Sequence, residues 1–252
     1  MSVIYHHKIG TTVSGNATKY FSTGFNNWGK PVKFRSAYLS GAGLGIPQDY
    51  IRYAKLYPQA STDETGAAMD GSGQIYYETD SGIPCASLSG LMNYRRYRYA
   101  IYISSAYTLS VWMKATSSSE KALVTLSGGH FGSGGDEVWI LLSQSGMIQL
   151  WNGGASDYTI MEHSGLSSGW HHIACVWTGS VFRVYVDKIQ QGTDVAANYH
   201  TNANLDLYIN TLGRASSSIV GSGKYAALRL YNYALDAREI SALAKEFTPI
   251  AN

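Results

Sequence analysis

From residue 97 onward, apolar and polar residues alternate in short runs. Tyr97, Tyr99, Ile101 and Ile103 fall on one side of an extended segment. In residues 108–114, Leu109, Val111 and Met113 form one face and Ser110, Trp112 and Lys114 the other. Further runs of strand type occupy residues 122–126, 138–142, 147–151, 171–177, 182–186, 205–209 and 225–231. A period of two marks a β-strand with one buried face. Ser145-Gly146 and Thr178-Gly179-Ser180 separate neighbouring runs by a few turn-forming residues, which predicts two hairpins. Many short strands with polar turns must bury their apolar faces against a second sheet. The pattern therefore predicts an all-β, two-sheet antiparallel sandwich of jelly-roll type.

One segment follows a different period. Asp236-Ala237-Arg238-Glu239 has a short acceptor followed three residues later by a Glu, the signature of a capping box. Ile240, Leu243, Ala244 and Phe247 then recur at helical spacing. Lys245 would sit in the last turn, where the helix dipole favours a cation, and Pro249 would stop the helix. A short C-terminal helix sealing one end of the sandwich is expected.

Residues 1–50 lack both patterns. They carry small β-like pieces between glycines and polar residues, such as Phe25-Asn26-Asn27-Trp28-Gly29 and Gly41-Ala42-Gly43-Leu44-Gly45. They are expected to form an extended N-terminal arm or attachment segment, with the domain spanning residues 51–252. No helix pattern follows the glycines, so they do not make a dinucleotide-binding fingerprint.

Composition narrows the function classes. Of the 252 residues, 14% are charged and the formal net charge is +2. That gives no general field for nucleic acid or anionic lipid. No apolar run approaches the ~20 residues of a membrane-spanning helix, and residues 1–8 lack the basic-then-apolar order of a signal peptide. Neither a nucleic-acid nor a membrane partner is expected. Cys85 and Cys175, the two cysteines, cannot make a disulfide scaffold or a four-cysteine zinc site. Two buried thiols or one bridge are both open.

The motif Gly169-Trp170-His171-His172-Ile173-Ala174-Cys175-Val176-Trp177 is followed by Phe182-Arg183-Val184-Tyr185-Val186-Asp187. Farther on come Leu228-Arg229-Leu230-Tyr231-Asn232-Tyr233-Ala234-Leu235 and then Glu239-Ile240 and Leu243. With Thr108-Leu109-Ser110-Val111-Trp112-Met113-Lys114 before them, these four motifs resemble, in order, those of the laminin-G-like, concanavalin-A-like jelly-roll domains. The resemblance covers residues 107–247 and fades toward residue 52. It implies a concanavalin A-like sandwich and a binding or adhesive role. Two departures stand out. Lys188 replaces the Gly that usually follows Asp187, so that turn is expected to avoid the positive φ that Lys disfavours. Ala226-Ala227 replaces an apolar residue followed by Asp, which weakens any calcium site implied by relatives, and no metal or cofactor is expected.

The same sandwich carries glycosidases, whose chemistry needs two carboxylates flanking the scissile bond. Here Asp136-Glu137 and Asp63-Glu64 are adjacent pairs, which a strand would turn to opposite faces. No nucleophile elbow or phosphate-binding loop occurs, the glycine-rich residues 128–135 included, and no catalytic residue is expected. His171 and His172 would likewise face opposite sides, one packing within the fold and the other lying at the opposite surface. Arg96 and Arg98 alternate with Tyr97 and Tyr99, a pattern read as a protein contact or a solvated edge rather than a nucleic-acid site.

The aromatic residues point further. A sugar is bound by an aromatic face against its apolar side and by polar groups at its hydroxyls. Glu137 and Trp139 share one strand face, and Gln149 and Trp151 share one face of the next strand. If the faces coincide, Trp139, Trp151, Gln149 and Asp136 form a glycan-binding strip; the competing reading is that both indoles are core. The expectation is a non-enzymatic structural or adhesive protein of a bacteriophage virion, on tail or capsid surface. Its arm would contact other virion proteins, and it would be a homo-oligomer with weak affinity for a cell-surface glycan. The alternative is an extracellular, secreted bacterial lectin-like module.

Overall fold

The computed structural model describes residues 24–25, 31–32, 46–47, 50, 52–54, 56, 69–89, 94–103, 106–118, 121–127, 137–153, 158–196, 203–211 and 221–247. Strands β1 (Gly24–Phe25) and β2 (Pro31–Val32) pair with each other, and the rest of residues 1–45 lies outside the described set. Then follow β3 (Arg52–Ala54), β4 (Asp70–Ser72), β5 (Tyr76–Asp80), β6 (Ile83–Ser89) and β7 (Tyr94–Ile103). After these come β8 (Tyr107–Ala115), β9 (Lys121–Ser127), β10 (Glu137–Ser143), β11 (Ile148–Gly153) and β12 (Tyr158–His163). The chain continues through β13 (His171–Trp177), β14 (Val181–Val186), β15 (Ile189–Ala196), β16 (Ala203–Ile209), β17 (Ser222–Tyr231) and the helix α1 (Ala237–Leu243).

Two antiparallel sheets form the sandwich. One has seven strands in the order β12-β11-β10-β9-β16-β7-β4. The other has eight: seven in the order β15-β14-β13-β8-β17-β6-β5, with β3 continuing beside the second half of β17. Between the sheets, Leu109, Val111, Met113, Ile173, Cys175 and Trp177 meet Val124, Leu126, Val138, Ile140, Leu150 and Leu207 in one buried core. These are alternate residues of their strands, as the period of two requires. The predicted strands are all present. Of the strands that the pattern does not reveal, β1 to β5, β12 and β15 are short, polar or at sheet edges, where alternation is weak. Strand β6 lies inside its sheet and buries Ile83, Cys85, Ala86 and Leu88 on both faces, so it shows no period of two.

The sheets approach closely at β9 and β17. A Cβ on Gly223 would stand 2.6 Å from the Ala122 Cβ, so only glycine allows that approach. Beside it, the buried Tyr225 hydroxyl accepts from the Leu123 N–H and donates to Asn210 Oδ1, tying the sheets together. Cys85 and Cys175 are both buried free thiols.

Expectations about the helix and about the turn after β14 need correction. The helix does not seal an end of the sandwich; Ile240 and Leu243 pack on Ala174, Val176, Tyr185 and Tyr231, the outer face of the eight-stranded sheet. Its capping box is present, with Asp236 Oδ1 accepting from the Glu239 N–H and Glu239 Oε2 from the Asp236 N–H. The helix ends at Leu243, before Lys245 and Pro249. The turn after β14 keeps positive φ at both Asp187 (48°) and Lys188 (72°). Bonds at Asp187 override the preference of Lys: its N–H donates to the His172 carbonyl, and Oδ1 accepts from the His172 N–H. Of the segment expected as an arm, Ile46 and Tyr50 pack on the helix-side cluster, and the Pro47 carbonyl accepts from the Tyr231 hydroxyl.

Candidate functional site

The face of the seven-stranded sheet turned away from the core carries a continuous cross-strand row. Asp70 pairs with Arg96, Arg96 with Tyr208, Tyr208 with Thr125, Thr125 with Trp139 and Trp139 with Trp151. Residues directly opposite in an antiparallel ladder share a face. The faces of β10 and β11 therefore coincide, and positions 139 and 151 are direct partners.

The row is buried through its middle and more exposed toward both ends. Thr125 and Tyr208 are fully buried, and Thr125 Oγ1 donates to the Thr211 carbonyl. Arg96 is also buried. Its Nε and Nη2 donate to the two oxygens of Asp70 at 2.8 and 2.7 Å, and its guanidinium lies 5.7 Å from the Tyr208 ring centre. This overturns the solvated-edge reading of Arg96, because β4 pairs outside β7 and supplies the carboxylate. Toward β11 and β12 the face opens: Trp151 is half-buried against Leu123 and Leu141, and Glu162 is exposed.

A second row runs beside the first. Leu123 pairs with Leu141, Leu141 with Gln149 and Gln149 with Glu162. Gln149 is buried and bridges two charges. Lys121 Nζ donates to its Oε1 at 2.6 Å, and its Nε2 donates to Glu162 Oε2 at 2.6 Å. With both ends of its amide engaged, Gln149 positions Lys121 and Glu162. Of the residues expected to form the strip, Trp139, Trp151 and Gln149 fall on adjacent paired strands. Asp136 lies outside the described residues, as do residues 128–135. Lys121 and Glu162 escaped the sequence reading because they lie on β9 and β12, brought to Gln149 only by register.

A serine, a histidine and an aspartate also meet, at the start of β13. His171 Nδ1 lies 2.7 Å from Asp187 Oδ2, while Nε2 lies 3.2 Å from Ser167 Oγ and 3.0 Å from the Ser167 carbonyl. The spacing resembles that of a catalytic triad, but the proton inventory differs. A carbonyl only accepts, so Nε2 carries a proton and cannot take one from the serine. Burial opposes the charged imidazole, yet the Asp187 and Ser167 contacts outweigh it and raise its pKa. The group works as a clamp on the Asp187 turn.

His172 is buried as well, contrary to the expectation of one surface imidazole, because Trp112 and the residues around α1 cover that face. Its Nε2 lies 2.9 Å from Ser110 Oγ, and burial depresses its pKa to about 3, so the ring is neutral. Among the described residues no three His, Cys, Asp or Glu side chains come together to hold a metal ion. No described helix is long and apolar enough to cross a membrane.

Two antiparallel sheets with a core between them and a polar, aromatic outer face define a lectin-like jelly roll. A family model described as the concanavalin A-like lectin/glucanases superfamily matches residues 98–241, and the chain belongs to that superfamily. A search of curated protein sequences returns no match. Among solved structures, the chain is similar to domain 4 of the extracellular arabinanase AbnA of Geobacillus stearothermophilus, solved in complex with arabinotriose. Identity is 19% and TM-score 0.61, over 78% of this chain and 98% of that one. It is also similar to the botulinum neurotoxin serotype G binding domain, with 12% identity and TM-score 0.59 over 78% of this chain and 50% of that one. The binding domain of botulinum neurotoxin DC, solved in complex with SialylT, gives 12% identity and TM-score 0.56, over 79% and 51%. The chain thus spans about half the length of the toxin binding domains. At these identities the likeness concerns the fold.

Proposed function

We propose that this protein is a non-catalytic glycan-binding module whose site is the β10–β12 end of the outer face of the seven-stranded sheet. The observation that carries the reading is the pairing of Trp139 with Trp151, beside the Lys121–Gln149–Glu162 bridge. An indole offers an apolar face to the C–H side of a sugar, and the flanking charges meet its hydroxyls. The arabinotriose and SialylT carried by the neighbouring structures support the same class of ligand. Such an open site binds weakly alone, and several linked copies raise avidity through effective concentration.

The test is a glycan array with wild type, Trp139→Ala and Trp151→Ala. Wild type binds at least one glycan, and Trp151→Ala loses that binding while keeping most of its melting temperature, since the ring is half-buried. Binding that survives both substitutions, or none by the wild type, overturns the reading.

The setting we propose is the surface of a bacteriophage particle, as one component of a homo-oligomeric assembly. This rests on the glycine-rich, pattern-poor residues 1–45, which suit attachment to other virion proteins. Mass spectrometry of purified particles that lack the chain, with recovery of it only as an extracellular protein, would replace this setting with a secreted lectin-like module.

A further inference from the structure

The bridge on the outer face defines which glycans the site accepts. Lys121 and Glu162 are held at opposite ends of one buried amide by two 2.6 Å hydrogen bonds. Bonds of this charge-assisted kind fix both partners in place. Gln149 itself has its Oε1 and Nε2 engaged and little surface left. Glu162 is exposed and Lys121 half-buried, so the capacity that Gln149 leaves unused on each charged group is what a ligand would meet. An ammonium has three N–H donors, of which one goes to Gln149; a carboxylate has about four acceptor sites, of which one is filled by Gln149. Donors thus stand on the β9 side and acceptors on the β12 side, next to Trp151 resting on Leu123 and Leu141.

Resting on the glycan-binding reading above, we infer that the site selects neutral oligosaccharides and rejects acidic ones. A sugar hydroxyl both donates and accepts, so neighbouring hydroxyls of one ring satisfy the carboxylate and the ammonium together. An anionic sugar attracted to Lys121 meets the Glu162 charge fixed across the same amide, and the trio sums to zero. A small zwitterion would match the two charges in sign. It has no apolar face for Trp151, however, and so leaves the indole unused. A chain of neutral sugars uses the indole and both charges at once.

The experiment uses the full chain and an array of neutral arabino-, gluco-, galacto- and manno-oligosaccharides beside sialylated and galacturonate-containing ones, with free glycine as a zwitterionic competitor. Hits are followed by titration calorimetry. The glycans bound are neutral, and glycine does not compete. Glu162→Gln, at an exposed position, keeps the melting temperature and weakens the best neutral ligand about ten-fold or more, the size of a hydrogen bond to a charged group. Lys121→Met weakens it similarly. Glu162→Lys moves binding toward the sialylated and galacturonate members. Preference of the wild type for acidic glycans, displacement by glycine, or unchanged affinity in Glu162→Gln while Trp151→Ala abolishes binding overturns the neutral selectivity and leaves the glycan site standing. No binding to any member overturns both.

Discussion

The two outer faces of the sandwich solve the same problem in opposite ways. Each sheet buries one face in the common core, and its other face must be covered or made compatible with water. The eight-stranded sheet is covered. Helix α1 lays Ile240 and Leu243 on Ala174, Val176 and Tyr231, and Phe247 stands edge-on to Trp112 at 5.6 Å. The described outer face of the seven-stranded sheet instead carries Arg96 on Asp70, the Lys121–Gln149–Glu162 bridge and a half-buried Trp151. The helix-covered face serves stability. On the other sheet most outward residues are buried as well, and the β10–β12 end, where Trp151 and Lys121 are half-buried and Glu162 is exposed, is the part we propose for recognition. If this division holds, substitutions on the two faces should separate unfolding from binding.

The largest expected effect comes from breaking matched ion pairs on the two faces. Arg229 donates from both Nη atoms to the carboxylate of Glu246 at 2.6 Å, and the side chains are only 4% and 16% exposed. Arg96 grips Asp70 in a similar way, but the Asp70 side chain is 46% exposed. Truncating one partner of a buried pair leaves an uncompensated charge and costs roughly 3–5 kcal/mol. When the remaining charge reaches water, the loss is smaller, about 1–2 kcal/mol. Arg229→Ala should therefore destabilise clearly more than Arg96→Ala in urea unfolding. Equal losses would mean that the seven-stranded sheet is covered as tightly as the other, contradicting the division.

The neighbouring histidines sharpen the comparison through pH. His172 lies under the covered face and is held neutral, with a pKa near 3. The unfolded chain binds its proton near 6.5, so stability from this residue is present above 6.5 and falls as pH drops toward 3. The slope approaches 1.36 kcal/mol per pH unit, which gives about 2 kcal/mol between pH 6.5 and 4.5. His171 has the opposite sign. Its pKa is raised, so its contribution is complete below 6.5 and disappears as pH rises through the folded value. Below pH 6.5 the two do not cancel. His172→Gln should flatten the loss between pH 6.5 and 4.5 relative to wild type, measured by urea unfolding at each pH. Parallel curves for the two proteins would show that the ring is not buried neutral. Asp80, held near 2 by Lys224 and Lys114 against the effect of burial, adds its own loss only as pH falls through the range from 3.8 to 2.

Local features were legible in the sequence, and long-range placements were not. The capping box at Asp236 and Glu239 and the hairpin around Ser145-Gly146 depend on residues close in the chain, and both stand as read. That hairpin alone set Trp139 against Trp151. The side on which α1 packs depends on Ala174, Val176 and Tyr185, some fifty to seventy residues away, and no periodicity within the helix encodes that choice. The partners of Gln149 come from β9 and β12, and those of Arg96 from β4, a three-residue strand whose Asp70-Gly71-Ser72 reads as a turn. The Asp187-Lys188 turn shows propensity losing to specific bonds: the contacts from Asp187 to His171 and His172 hold Lys188 at positive φ.

The smallest effect tests the independence of the two faces. Asp236 caps α1 through its side chain, and replacing such a cap by alanine costs about 1 kcal/mol. Asp236→Ala should lower the unfolding free energy by that amount and loosen the cover over Ala174 and Val176. The Lys121–Gln149–Glu162 bridge and Trp151 belong to the other sheet and share no partner with the cap. Effects at sites that share no partner are additive, so glycan affinity in calorimetry should remain within experimental error of wild type while the melt shifts. A parallel loss of affinity would show that the helix cover and the recognition face are coupled through the core. The two faces would then have to be treated as one cooperative unit.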